Sequence, residues 1–345
     1  MARDQAIAAC TLVVVALVAA GRGLAAQRPA QSACGTRAHV TVRPARPRDG
    51  TLFAIDVRDA PTDAALSGTV TGEALHFSRD RTGVAHAFAP APIGSAKVTL
   101  FVVCGRGARS DTVRTVLALA SGSYAVERLR VAPNFSATPD SALAARQKRE
   151  AELTRALTTP SHATPRLWTA PFAAPRPSRI TSTFGNGRKF NGAITSRHMG
   201  TDYAGAVGAP IHAANRGVVR LVENFYYSGN VVYVDHGAGL LTAYLHMSAT
   251  RVAVGDTVER GAVLGLVGAT GRVTGPHLHF IARYGGVSVD PLSLLRVTAI
   301  ATPNGLTRRA KQRSKVKSRN ALANPGGSPR TFPIYAAAST LSPLD

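Results

Sequence analysis

Alternating apolar and polar residues in the first third of the chain predict short β-strands. Such runs occur at residues 39–43, 52–57, 65–70 and 96–103, and Gly, Pro or Asp turns separate them. Successive side chains of a strand point to opposite faces, so each run can bury one face against a second sheet. Short strands at this spacing favour a β-sandwich. We therefore predict a mostly β fold that begins with an immunoglobulin-like accessory domain over residues 30–130. We expect this domain to position or cover a second one.

A helical pattern and a proline-rich segment follow the predicted sandwich. Residues 138–158 predict a linking helix, in which Thr138 suits the N-cap, Pro139 the first helical position and Asp140 the positive helix end. Its apolar stripe is partial, so we expect a solvated strut. Residues 159–178 contain five prolines and predict an extended linker. The single tryptophan, Trp168, is expected to pack onto the next domain.

Strand-like text returns at residues 179–298. Within 252–267 apolar residues alternate with Gly-Asp and Arg-Gly turns, which is typical of antiparallel hairpins. Helical periodicity is almost absent from 180–295, so we predict a second domain built on an antiparallel β-sheet. Beyond residue 298 the periodicity stops and a basic tract at 308–319 follows. Residues 299–345 are therefore predicted to be a disordered basic tail.

The N-terminus predicts export. Arg3, an apolar run at 6–20 and small residues at 23–26 indicate a signal peptide over residues 1–26. Because the run is short for a membrane span, membrane association is expected only if this segment stays uncleaved. Cleavage would leave Cys34 and Cys104, and an even count in an exported chain favours one disulfide. Two separate buried thiols are the alternative.

The charge balance indicates acidic partners. The chain has 41 Lys and Arg against 19 Asp and Glu, a net charge of +22. Nucleic acid and an anionic cell envelope are both compatible with this charge. The predicted signal peptide, the lack of a recognisable nucleic-acid-binding motif and the concentration of charge in the tail argue against nucleic acid. We expect a periplasmic or secreted protein associated with the cell envelope.

Histidines and one aspartate mark the candidate chemistry. Six of the ten histidines fall between 198 and 279, including an HxxxD pair, His198 and Asp202, and an HxH pair, His277 and His279. If 277–280 is a strand, both histidines of the HxH pair face one site while Leu278 and Phe280 face the other way. His246 lies between the two pairs in the chain. Histidine and aspartate are ligands that zinc prefers.

Sequence blocks around these residues resemble the LytM/lysostaphin-type zinc peptidases of family M23. The matching blocks are residues 180–185, 198–203, 208–214, 229–237, 244–248, 254–261, 268–280 and 289–292. A lone HxxxD pair would be weak evidence, but all of these blocks in order are specific.

The resemblance implies a peptidoglycan endopeptidase whose site lies in a groove on an antiparallel sheet. His198, Asp202 and His279 match the three ligands of one Zn²⁺ per chain, and water takes the fourth position. His246 and His277 match the two catalytic histidines that do not bind the metal. One would take the proton of the attacking water, and the other would stabilise the oxyanion or assist the leaving amine. The residues do not decide which histidine takes which role.

Several alternatives differ in class or substrate. We favour a D,D-endopeptidase that cuts the cross-link between D-Ala and a diamino acid, with Gly–Gly bridges as the enzymatic alternative. A zinc-free regulator of another wall hydrolase is a second class, disfavoured because all five site residues are present. A structural zinc is disfavoured by the two extra histidines. A biotinyl or lipoyl carrier is excluded because no lysine lies between Lys189 and Lys311.

Tyr203 and Tyr244 are expected to be packed, with Tyr244 on the strand face of His246. We expect His236 in a turn.

Overall fold

The computed structural model describes residues 34–35, 38–135, 138–192 and 194–301. The predicted signal peptide and residues 302–345 of the predicted tail lie outside these residues. Two antiparallel β regions make up most of the described chain, as predicted. None of the described helices is long and apolar enough to cross a membrane.

The first region is a sandwich of two four-stranded antiparallel sheets. In spatial order one sheet is β1-β2-β6-β5 and the other is β4-β3-β7-β8. This order corresponds to the ABED and CFG sheets of an immunoglobulin-like fold, with one short strand added beside C. The strands are β1 His39–Arg43, β2 Leu52–Arg58, β3 Ala65–Val70, β4 Glu73–Ala74, β5 Ser78–Arg79, β6 Ala85–Pro90, β7 Lys97–Arg106 and β8 Arg109–Ala118.

A disulfide fastens the chain ahead of β1 to this sandwich. Cys34 and Cys104 are bonded, with their Cα atoms 5.2 Å apart, and Cys104 lies on β7. The prediction of one disulfide is therefore confirmed, and the alternative of two free thiols is wrong.

The connecting segment is more ordered than an extended linker. It contains β9 Val126–Leu129, a 3-10 turn Pro133–Phe135, α1 Ser141–Ala156 and α2 Thr158–Ala163. Asp140, not Thr138, caps α1, because its side chain accepts a hydrogen bond from the Leu143 amide. No residue of α1 is buried, as expected for a solvated strut. The proline-rich linker predicted over 159–178 begins inside α2 and then packs against the second domain.

The second region is a large antiparallel sheet with a main path β10-β13-β20-β17-β16-β15-β18. Its elements are β10 Ile180–Ser182, β11 Gly187–Phe190, β12 Ile194–Arg197, β13 Thr201–Ala204, β14 Pro210–His212, β15 Gly217–Phe225, β16 Gly229–Gly237, β17 Leu240–Thr250, β18 Thr257–Val258, β19 Val263–Val267, β20 His277–Tyr284, β21 Val287–Val289 and α3 Pro291–Ala301. Helix α3 was not predicted, and it carries regular structure past residue 298, where the tail was expected to begin.

One hydrophobic core joins the two regions. Leu52 and Phe88 of the sandwich, Trp168 and Phe172 of the linker, and Leu294 of α3 pack with the large sheet in a single cluster. Strand β2 is buried along nearly its whole length because one of its faces packs inside the sandwich and the other packs in this shared cluster. The amide of Leu52 also donates a hydrogen bond to the Ser293 hydroxyl across the contact, at 2.8 Å. Trp168 therefore packs as expected, but against both regions.

The boundary of the sandwich differs from the prediction. Residues of β9, placed in the N-terminal domain by the pattern, pair in parallel with β11. Strand β11 in turn pairs with β12, which leads directly to His198. A short segment outside the peptidase-like sequence blocks thus becomes part of the scaffold of the candidate site.

A candidate metal centre with two further histidines

Asp202 and His279 meet because β13 and β20 lie in register. The two residues are direct cross-strand partners, so their side chains leave the sheet on the same face. The strands approach closely just before Asp202. A Cβ atom at Gly200 would lie 2.5 Å from the Phe280 carbonyl oxygen and 2.8 Å from the His279 ring. Glycine at this position therefore allows the HxxxD segment to lie against β20.

His198 arrives from the loop between β12 and β13. Its amide donates to the Asn186 carbonyl, and its own carbonyl accepts from the Gly185 amide. Its Nδ1 lies 2.8 Å from the Thr183 carbonyl oxygen and 2.9 Å from the Ser182 hydroxyl. A carbonyl oxygen can only accept, so Nδ1 carries the proton and Nε2 of the neutral ring keeps its lone pair. The hydrogen bond from Nδ1 to the Thr183 carbonyl thus fixes the tautomer, as is common for metal-binding histidines.

Three ligand atoms converge on one point. His198 Nε2 lies 3.0 Å from Asp202 Oδ1 and 2.9 Å from His279 Nδ1, and the last two atoms are 2.7 Å apart. All three residues are buried. Of these three atoms, only His279 Nδ1 can carry a proton. The lone pairs of His198 Nε2 and Asp202 Oδ1 therefore face each other at hydrogen-bond distance. A cation among them satisfies all three, and the described residues can hold a metal ion here.

The carboxylate of Asp202 is kept ionised by its surroundings. Burial alone would raise its pKa, but the close contacts with the rings of His198 and His279 outweigh this and lower the pKa far below its usual range. Its second oxygen accepts a hydrogen bond from the Arg188 guanidinium at 2.6 Å. Arg188 also pairs with Glu127 at 3.1 Å, and Glu127 accepts from Ser182 and Asn186. A second layer of polar groups thus holds the ligand set.

His277 and His246 lie beside this centre. His277 Nε2 is 3.7 Å from Asp202 Oδ1, and its Nδ1 lies 2.8 Å from the Gly275 carbonyl. His246 Nδ1 lies 2.8 Å from the Thr270 carbonyl, and its ring centroid is 5.0 Å from that of His277. In both rings the carbonyl fixes the proton on Nδ1 and leaves Nε2 available. Burial, followed by the nearby His279 and His277, lowers the pKa of His246 to about 3, so its ring is neutral at ordinary pH.

The structure brings together all five residues predicted for the site, but His246 reaches it by an unexpected route. Tyr244 pairs with Phe280 and is fully buried in the core, so simple alternation would turn His246 toward the core as well. Strand β17 instead contains an extra residue relative to β16, and His246 has φ of +64°. This bulge re-aims the ring to the His277 side. The prediction that Tyr244 and His246 share a face is therefore wrong.

The other predictions about site neighbours have mixed outcomes. Tyr203 and Tyr244 are packed, as expected. His236 is not a turn residue, because it lies in β16 and is fully buried. Sequence analysis missed Ser182, Arg188 and Glu127. Only Ser182 lies in a block that carried the resemblance, and Glu127 has no recognisable signal in the sequence.

Comparisons with known proteins point to one family. Residues 196–291 match peptidase family M23. The chain is 39% identical over 137 residues to the peptidoglycan DD-endopeptidase ShyC of Vibrio cholerae, which is 39% of this chain and 30% of the relative. It is 45% identical over 105 residues to ShyA of the same organism, covering 30% of this chain and 24% of the relative. The DD-carboxypeptidase/endopeptidase Mpg of Neisseria meningitidis is 41% identical over 118 residues, covering 34% and 27%.

The sequence similarity is confined to part of these relatives, since the chain spans less than a third of the length of each. A crystal structure from Pseudomonas aeruginosa assigned to peptidase M23 matches more of the chain. It covers 72% of this chain and 94% of that one, with a TM-score of 0.56 and 24% identity. This likeness supports the fold, and it extends beyond the residues that match the family.

Proposed function

We propose that this chain, whose residues 196–291 match peptidase family M23, is a zinc-dependent endopeptidase that hydrolyses peptide cross-links of bacterial peptidoglycan. The convergence of His198 Nε2, Asp202 Oδ1 and His279 Nδ1 within 3.0 Å of one another carries the proposal. Two nitrogens and one carboxylate oxygen form a ligand set that leaves a position open, as in catalytic zinc sites. Closed structural sites use four protein ligands.

His246 and His277 supply the proton transfers. Zinc bound to the three ligands would polarise the scissile carbonyl and lower the pKa of a bound water to about 7. The free Nε2 of one of these rings would take the proton of the attacking water, and a ring protonated at Nε2 would stabilise the oxyanion or pass its proton to the departing amine. Their Nδ1 contacts hold both rings in the tautomer whose Nε2 can accept a proton.

The favoured substrate is the D,D cross-link between D-Ala and a diamino acid. The relatives ShyC and ShyA are named peptidoglycan DD-endopeptidases, and their similarity covers the residues of the site. Cleavage of Gly–Gly bridges is the second enzymatic possibility. A silent regulator of another hydrolase is disfavoured, because all five residues are present and His198, Asp202 and His279 can hold a metal ion. Such a substrate places the protein at the cell envelope, in agreement with the predicted export.

Digestion of purified peptidoglycan sacculi by the full chain tests this function. We expect cross-linked muropeptide dimers to become monomers, a conversion read by mass spectrometry of the released fragments. A chelator should abolish the reaction, and added Zn²⁺ should restore it. Failure to cleave sacculi of any type with zinc bound would refute the enzymatic proposal and favour the regulator. Release of glycine-ended fragments from Gly-bridged sacculi alone would select the Gly–Gly activity.

A further inference from the structure

A groove leads to the metal centre along the ends of several strands. It encloses about 400 Å³ and is bordered by Asp202 and His277 of the site. One wall comes from residues 127–131, which follow the sandwich, and another from residues 272–277, which precede β20. Among the described residues, the lining includes none from the sandwich strands β1–β8. The groove is thus a place where an extended peptide can lie next to the ligand atoms.

Five charged residues line this groove, and three of them, Arg188, Glu127 and Asp202, pair with one another. Arg188 forms ion pairs with Glu127 and with Asp202. Arg179 and Arg272 also line it, but neither has a carboxylate within 4.0 Å among the residues that the structure describes. The groove therefore presents two guanidinium groups without acidic partners beside the metal centre.

The surrounding residues hold the side chain and backbone of Arg272 in place. Its guanidinium carbon lies 4.1 Å from the ring centroid of Phe190 and 4.2 Å from that of Tyr227. Its backbone amide donates to the Tyr227 carbonyl, so both ends of the residue are held. Aromatic rings that contact a guanidinium leave its N–H groups as donors for a planar anion. Partial burial lowers the pKa of Arg272, and the nearby charge of Arg188 lowers it further, so the cation lacks a compensating charge in the groove.

We propose that Arg272, together with Arg179, forms an anion subsite that binds a carboxylate of the substrate peptide next to the scissile amide. The inference rests on the proposed function and specifies its substrate. In a D,D cross-link the scissile nitrogen belongs to a diamino acid. Where that residue is a diamino dicarboxylic acid, the carbon that bears this nitrogen also bears a carboxylate, and where it is lysine that carbon bears none. A Gly–Gly bridge has no charge at that point. A guanidinium fork matches a carboxylate with two parallel hydrogen bonds, so the subsite selects the free acid.

A pair of synthetic cross-linked peptides tests the subsite. The two peptides differ only in the carboxyl group beside the scissile nitrogen, which is free in one and a carboxamide in the other. We expect the wild-type full chain to show a kcat/KM at least about tenfold higher for the free acid, since a charge-assisted pair is lost in the amide. Arg272→Gln should abolish this preference, so that its kcat/KM values for the two peptides become equal.

Three further variants separate binding from folding. Arg179→Gln alters an exposed side chain without disturbing the packing of Phe190 and Tyr227, and it should reduce the preference. Arg272→Lys keeps the charge but lacks the planar fork, so it should restore only part of the preference. Arg260→Gln changes an exposed arginine that does not line the groove, and its preference should equal that of wild type.

Equilibrium binding of the same two peptides separates failure of the subsite from failure of the proposed function. Equal kcat/KM for both peptides in the wild type would overturn the subsite and leave the endopeptidase intact. Cleavage of neither peptide would count against the proposed function. In that case tighter binding of the free acid, lost in Arg272→Gln, would still support the subsite, and equal binding would overturn it.

Discussion

The two halves of the molecule each bury a histidine–carboxylate cluster, and the clusters differ in what the second ring nitrogen contacts. In the sandwich, His86 Nδ1 lies 2.7 Å from Asp56 Oδ1, and its Nε2 lies 3.1 Å from Asp80 Oδ2. Arg43 adds a further hydrogen bond to Asp56 at 2.9 Å. Both ring nitrogens of His86 therefore face carboxylate oxygens. The sandwich cluster is a structural ion-pair network.

In the large sheet the same residue types leave lone pairs unmatched. The Nδ1 of His198 is engaged by the Thr183 carbonyl, so its Nε2 faces Asp202 Oδ1 with no proton to share. The difference shows that residue type alone does not mark a metal site. A metal site is marked by a partner that accepts the N–H of the far ring nitrogen and so leaves the near nitrogen as an unpaired acceptor.

Replacing one histidine of each cluster with alanine should affect different properties. The loss of activity in the metal-site variant is the largest effect we expect. His279→Ala removes a metal ligand, so kcat/KM on cross-linked peptides should fall about 1,000-fold, because metal catalysis supplies several kcal/mol. Zinc affinity, measured by chelator competition, should fall with it. His86→Ala should leave both quantities at the wild-type value. It should instead lower the free energy of unfolding by about 1–3 kcal/mol, since the buried Asp56 loses a hydrogen-bond partner.

Unfolding in urea and chelator competition on both variants provide the check. Reduced zinc affinity in His86→Ala, with the protein fully folded, would contradict the distinction between the clusters. Full zinc affinity in His279→Ala would contradict the ligand assignment.

The sequence was sufficient for the parts of this comparison that follow from local periodicity. Alternation in β20 predicted that His277 and His279 share one face and that Leu278 and Phe280 share the other, as observed. The route of His246 could not be predicted, because one extra residue in β17 reverses the face of its side chain. The role of Glu127 depends on the parallel pairing of β9 with β11, a contact between segments about 60 residues apart. No local pattern encodes such a contact.

A buried histidine outside both clusters extends the comparison to pH dependence. His236 is fully buried between two uncharged partners, the Arg216 carbonyl and the Thr242 hydroxyl, each at 2.8 Å. Burial lowers its pKa to about 4 from 6.5. The unfolded chain therefore binds a proton below pH 6.5, while the folded chain does not until about pH 4. Stability from this residue is complete above pH 6.5 and is lost as pH falls toward 4, by about 3 kcal/mol in total.

Urea unfolding of wild type and His236→Gln between pH 7 and pH 4 isolates this contribution. Glutamine does not titrate, so the free energy of unfolding of the variant should fall less steeply across this range. The quantity compared is the change in the free energy of unfolding between pH 7 and pH 4, and its value at pH 7 does not enter the comparison. Parallel curves for the two proteins would show that His236 is not held neutral.

The smallest effect we expect comes from Glu127, which lies on β9 outside the large sheet and contacts the metal site through Arg188. Glu127→Gln removes the charge that holds Arg188, which in turn holds the second oxygen of Asp202. Outer partners of metal ligands typically contribute 10–100-fold to affinity. Glu127 acts one residue further away, so we expect zinc affinity to fall about tenfold, measured by chelator competition on the full chain. Glu259→Gln removes an exposed ion pair with Arg216 and serves as the matched control. Equal zinc affinity in the two variants would show that Arg188 positions Asp202 unaided, and the contribution of β9 to the site would then be only structural.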